Sequence, residues 1–92
     1  MNLLFRTHAI KRMAERGITK ADICKVLENG RVIMRYPNDT PIASRIVLGY
    51  SGKRPLHVVA ADDDSTATTI IITVYEPGPD RWHDGFEERK RL

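Results

Sequence analysis

The chain carries two hydrophobic patterns that meet at Gly30. Before it, apolar positions recur at helical spacing. Ala9, Ile10, Met13 and Ala14 fall on one side of a helix spanning about residues 7–16, and His8, Lys11, Arg12, Glu15 and Arg16 fall on the other. Thr7 stands where a cap is wanted, and Gly17 where a helix closes. Thr19, with Asp22 three residues on, opens a second helix as a capping box, and Ile23, Val26 and Leu27 form its buried stripe. Asn29 and Gly30 end it.

After Gly30 the runs are β-branched and aromatic, and turn formers separate them. Strands are predicted over residues 31–36, 44–50, 56–62 and 69–75. Connections this short favour hairpins, hence antiparallel pairing. Alternation sets Leu56, Val58 and Ala60 against His57, Val59 and Ala61. In the last strand it sets Thr73 and Tyr75 against Ile70, Ile72 and Val74. Pro77-Gly78-Pro79 breaks the chain, and residues 82–92 are long enough for a short helix. The predicted fold is α+β, one domain over residues 1–92, with two N-terminal helices packed on a four-stranded antiparallel sheet. One sheet face is covered by the helices, and the other is left open as a groove.

Ninety-two residues suffice for one compact core and not for two. No apolar run nears the ~20 residues that span a bilayer, and residues 1–6 are too short for a signal peptide. Cys24, the one cysteine, has no internal disulfide partner. A cytoplasmic location is the expectation. The net charge of +3 is only mildly basic. Its distribution says more: Arg6, Lys11, Arg12 and Arg16 gather at one end, Arg89, Lys90 and Arg91 at the other, and Asp62-Asp63-Asp64 between.

His8, Arg12 and Arg16, four apart, share one helix face. Arginine forks suit phosphate, and a histidine beside them can move a proton near neutral pH. The competing reading is a solvated face with Glu15 paired to an arginine. His57 is predicted on the open side of its strand, either as a proton-transfer group or as a histidine satisfied by a backbone carbonyl. Thr73 and Tyr75 can hold a phosphate or stack a base, or can be there for β-propensity alone. Trp82 stacks a base or seals the core edge, and Arg45 binds phosphate or blunts a sheet edge. No zinc spacing and no glycine-rich phosphate loop is present, and Asp62-Asp63-Asp64 reads as a solvated turn. Neither metal nor cofactor is expected.

Thr7-His8-Ala9, Arg12-Met13, Arg16-Gly17-Ile18, Leu56-His57-Val58-Val59, Ile72-Thr73-Val74-Tyr75-Glu76-Pro77 and Trp82, in that order, resemble the domain of unknown function 4258 family. That family looks like a branch of the RelE-like microbial toxin fold, related to barnase-like and colicin-type ribonucleases. The resemblance implies the toxin of a bacterial type II toxin–antitoxin pair, a metal-independent endoribonuclease acting by 2′-hydroxyl attack, with a cognate antitoxin of zinc-finger type as partner. By matching positions, His8 and His57 would be acid and base, Arg12 and Arg16 would hold phosphate, and Tyr75 with Thr73 would orient the nucleotide. Arg45 and Trp82 would add RNA contacts. Unlike many RelE-type relatives, the chain offers no basic C-terminal catalytic cluster, and Arg89, Lys90 and Arg91 read as a solvated tail. The alternative is a non-catalytic RNA- or protein-binding module of the same fold, using the same basic face by charge alone.

Overall fold

The computed structural model describes residues 2–91. Among them, five strands and two helices follow in the order β1 (Asn2–Phe5), α1 (Thr7–Arg16), α2 (Lys20–Asn29), β2 (Arg31–Tyr36), β3 (Ser44–Ser51), β4 (Arg54–Asp63) and β5 (Thr68–Tyr75). The strands form one sheet in the order β1-β5-β4-β3-β2. β2 to β5 are antiparallel neighbours, as predicted, but β1 lies parallel to β5, with Phe5 opposite Ile71. The expected four-stranded antiparallel sheet is therefore corrected to a five-stranded mixed sheet, while the α+β class holds. The physical reason is the edge of β5. Left bare, it would expose unpaired backbone groups, and β1 covers them while Leu3 and Phe5 pack against the core.

The helices begin and end largely where side-chain chemistry places them. Gly17 closes α1 in the left-handed conformation (φ 62°), and its N–H donates to the Met13 carbonyl. Thr7, expected as the α1 cap, is instead its first residue; Arg6 holds the cap position without a side-chain bond. Thr19 and Asp22 form the expected capping box on α2: the Asp22 N–H donates to Thr19 Oγ1 at 3.1 Å, and the Thr19 N–H donates to the Asp22 carboxylate at 2.8 Å. A Ser51 hydroxyl donating to the same carboxylate at 2.6 Å, followed by the Thr19 amide, holds the Asp22 pKa below its ordinary value. Thr19→Ala should cost about 1 kcal/mol in urea unfolding, typical of a lost cap; an unchanged midpoint would show the box to be idle.

The core lies between the helices and one sheet face. Ala9, Ile18, Ile23 and Val26 meet Val47, Leu56, Val58, Ala60, Ile71 and Val74. α2 lies so close on β3 that no side chain fits at Gly49, where a Cβ would stand 2.9 Å from Val26 Cα. Two expectations fail locally. Ile10 is exposed, because α1 rests on β5 through a narrow stripe that holds Ala9 and Met13. A register shift between Val59 and Ala60 puts Ile71, rather than Ile70 and Ile72, into the helix-side core beside Val74.

Residues 76–91 form no helix. They turn back on themselves, with an isolated antiparallel bridge between Trp82 and Arg89. Leu92, the end of the predicted tail helix, lies outside the described residues. No helix among the described residues is long and apolar enough to cross a membrane.

Candidate functional site

Strand register lays out the sheet face away from the helices as three rows. Arg31, Leu48, His57 and Tyr75 stand directly opposite one another across four strands. Met34, Ile46, Val59 and Thr73 form the next row, and Tyr36, Ser44, Ala61 and Ile70 the third. The first row is covered by residues 76–91. The third is partly roofed by the β2–β3 connection, where Asp39, Pro41 and Ile42 join Ala61, Ile70 and Ile72 around a cavity of about 270 Å³. Between them runs a strip from the exposed Met34 and Tyr36 at the β2 edge to the half-buried Thr73 and Tyr75 on β5, with Ile46 buried within it.

His57 does lie on the face predicted by alternation, but it is 0% exposed. Its Nε2 lies 2.8 Å from the Phe86 carbonyl, and its Nδ1 lies 3.2 Å from the Tyr75 hydroxyl. A carbonyl only accepts, so Nε2 carries the proton. Nδ1 of the neutral ring then accepts from Tyr75. Trp82 packs edge-on against the same ring at 4.4 Å between centroids. Burial pushes the His57 pKa down, with the Phe86 carbonyl opposing. His57 is therefore an enclosed interior group, joined by one hydrogen bond to the half-buried Tyr75.

Tyr75 is half-buried, and burial, then the Tyr36 phenol, raises its pKa, while Arg89 lowers it. Arg89 also lines, with Tyr75, Trp82 and Arg81, a shallow depression of about 440 Å³. Tyr75 and Arg89 thus share the β5 end of the strip, and Tyr36 stands at its β2 end. The strip offers an aromatic surface at each end and a guanidinium at one, an arrangement suited to an extended, negatively charged ligand.

The helix-borne residues do not join this set. α1 packs on the opposite sheet face, through Ala9, so the sheet separates His8 and Arg12 from His57. His8 and Arg16 are exposed, and Arg12 faces Glu15 across 3.9 Å on its own helix. Arg16 contributes its backbone carbonyl to the Arg54 guanidinium. Arg45 alternates onto the helix side, where Asp62 pairs with it and Arg35 stands directly opposite. Thr73 lies in the half-exposed strip, and Trp82 is buried against His57. Of the eight residues singled out by sequence, His57, Tyr75, Thr73 and Trp82 share one side of the sheet. His8, Arg12, Arg16 and Arg45 belong to the other.

Two residues at the ends of the strip, Tyr36 and Arg89, were not singled out. Tyr36 was legible in principle, since it alternates with Met34 on an exposed strand. Arg89 had no signal beyond a basic tail. Among the described residues, no three histidine, cysteine or acidic side chains gather as a metal-binding group.

In comparison with known proteins, the family model described as a domain of unknown function (DUF4258) matches residues 5–76, more than three quarters of the chain. The match includes His57, Thr73 and Tyr75 and stops short of Trp82 and Arg89. No curated protein and no solved structure matches the chain.

Proposed function

Because this chain belongs to the domain of unknown function 4258 family, we propose from its geometry that it binds single-stranded RNA on the sheet face away from the helices. The observation that carries the reading is a strip of sheet with the exposed Tyr36 at one end and Tyr75, beside Arg89, at the other. Aromatic faces stack on bases whatever their identity, and each such contact is worth about 1–3 kcal/mol. The Arg89 guanidinium beside Tyr75 can pair with a phosphate next to the base stacked there. Thr73, on the same strip, offers a hydroxyl. The RelE-like toxin resemblance gives the same ligand class, and in that setting an antitoxin would restrain the protein by covering this face.

Binding is tested by fluorescence anisotropy with a labelled single-stranded RNA. Tyr36→Ala and Arg89→Ala should each weaken binding by about tenfold or more, and Arg89→Ala should lower the salt slope by about one unit. Arg12→Ala, on the opposite face, should change little. The reverse ranking would move the site to the helices and end this reading.

A second reading, ribonuclease activity, is favoured by the Tyr75–His57 hydrogen bond. A ribose 2′-hydroxyl approaching Tyr75 can pass its proton to the phenol oxygen while the phenol proton moves to His57 Nδ1. The 2′-oxygen then bonds to phosphorus, the P–O5′ bond breaks, and the leaving 5′-oxygen takes a proton from water; the hydroxide so formed takes the phenol proton of Tyr75 as His57 Nδ1 returns its own, which restores the neutral pair. Arg89 would balance the charge gathering on the phosphate. This route uses one imidazole in place of two, with Tyr75 as the only side chain of the relay that touches RNA. In a bacterial host, induced expression should then arrest growth.

A further inference from the structure

Residues 76–91 cross the sheet without belonging to it. Pro77 is buried where the chain leaves β5, and Trp82 is buried further along. Between them and the end of the described chain, the His83 N–H donates to the Glu88 carbonyl at 2.9 Å, and the Lys90 N–H to the Arg81 carbonyl at 2.8 Å. These bonds and the Trp82–Arg89 bridge fold the segment into a strap. It is held over the first row at two polar points: His57 to the Phe86 carbonyl, and Arg31 to Glu87 at 2.9 Å; at its root, Glu76 also pairs with Arg54 of β4.

The two ties are unequal. The Arg31–Glu87 pair is exposed on both sides, where such pairs contribute little. The His57 tie is enclosed, and it holds a strained residue. Phe86 has φ 59°, a region unfavourable to any side chain. The Phe86 N–H donating to the His83 carbonyl at 2.9 Å is its other restraint. The imidazole is therefore the enclosed polar tie between the strap and the first row.

We propose that residues 76–91 form a strap that closes over the sheet row bearing His57 and Tyr75, latched by the His57 ring and released when that ring takes up a proton. The inference goes beyond RNA binding and does not depend on it. Tyr75 faces the ring from β5 and Leu48 from β3, while Trp82 and the Phe86 carbonyl face it from the strap. Of the charged groups on that side, Arg89 lines a depression with Tyr75, and Arg31 and Glu87 pair with each other; among the described residues no carboxylate hydrogen-bonds the ring. A protonated Nδ1 would still find the Tyr75 hydroxyl, which can turn to accept. What fails is the enclosure of a charge without water or a counter-ion. Opening the strap restores both. The sign follows from burial holding the ring's pKa below 6.5 in the closed state. Closure is complete above that pH and weakens as pH falls from it toward the lower closed-state value.

Trp82 is the only tryptophan in the chain and touches His57, so its emission reports the latch. Titrating the full chain from about pH 8 to about pH 5 should change that emission with a midpoint below about 6.5, while far-ultraviolet dichroism stays native. His57→Gln keeps a donor for the Phe86 carbonyl but cannot titrate, and its emission should stay flat. His83→Gln, on the strap and exposed, should keep the wild-type midpoint. A His57→Gln protein that titrates like wild type overturns the proposal, as does wild-type emission that changes only with global unfolding. If His57→Gln does not fold, amide exchange in the wild type decides. Protection at Trp82, Phe86 and Lys90 should fall about tenfold on acidification while Val58 and Val74 hold. A uniform fall across all five means that no strap opens separately.

Discussion

Replacing Tyr75 with phenylalanine should lower RNA cleavage by about 10²–10⁴-fold, the usual contribution of one positioned proton-transfer group. RNA affinity should change by no more than about twofold, because the ring that stacks is kept. The two readings of the site separate on this variant. A binding module loses nothing when the hydroxyl goes, whereas the proton relay loses its only link between the 2′-hydroxyl and His57. The measurement is single-turnover cleavage of a labelled RNA without added metal, beside anisotropy on the same strand. A wild-type protein that binds but does not cut, or a Tyr75→Phe protein that cuts as fast, leaves the binding module standing and removes the relay. The substitution also strips His57 Nδ1 of its partner inside the protein, so a stability loss of about 1–3 kcal/mol should accompany it. Assays should therefore run well below the variant's melting temperature.

Gly30→Ala should be the most damaging single-methyl change, at about 3 kcal/mol or more in urea unfolding, the upper range for overpacking. Gly30 joins α2 to β2, with an ordinary φ of −80°, so conformational freedom is not what it supplies. A Cβ there would lie 2.4 Å from the carbonyl oxygens of both Val26 and Leu48. Both belong to backbone held in regular structure, and neither can rotate aside. Gly52→Ala is the informative contrast. Gly52 has φ 63° with open space around it, so its alanine variant should lose only about 1–2 kcal/mol through backbone strain. If Gly52→Ala proves the worse of the two, then the α2–β2 joint yields more readily than its geometry implies.

Much of the fold was legible because its signals are local. The capping box at Thr19 and Asp22, the left-handed Gly17 and the boundary at Gly30 each depend on neighbours within four residues. The strand runs ended at turn formers for the same reason. β1 escaped because residues 2–5 are too few to show a period, and because its partner Ile71 lies far along the chain. The bulge at Ile72 escaped because strict alternation assumes a register that only β4 can set.

The candidate site was half legible. Alternation placed His57 and Tyr75 on the correct face, and Thr73 with them. It had no means of showing that residues 76–91 fold back over His57, since that segment has no apolar period. Nor could it show that α1 would take the opposite face, leaving its histidine and arginines behind the sheet. Arg89 looked like a solvated tail because the Trp82–Arg89 bridge that fixes it is visible only in three dimensions.

The parallel pairing of β1 with β5 has a consequence for how the chain is made. β1 is made before every other described element, yet each residue it pairs with follows all of them. While α1, α2 and β2 to β4 are being made, its apolar residues Leu3, Leu4 and Phe5 have no partner strand. β1 is therefore completed only once β5 has emerged. Until then, the nascent chain carries an unpaired apolar segment open to other strands.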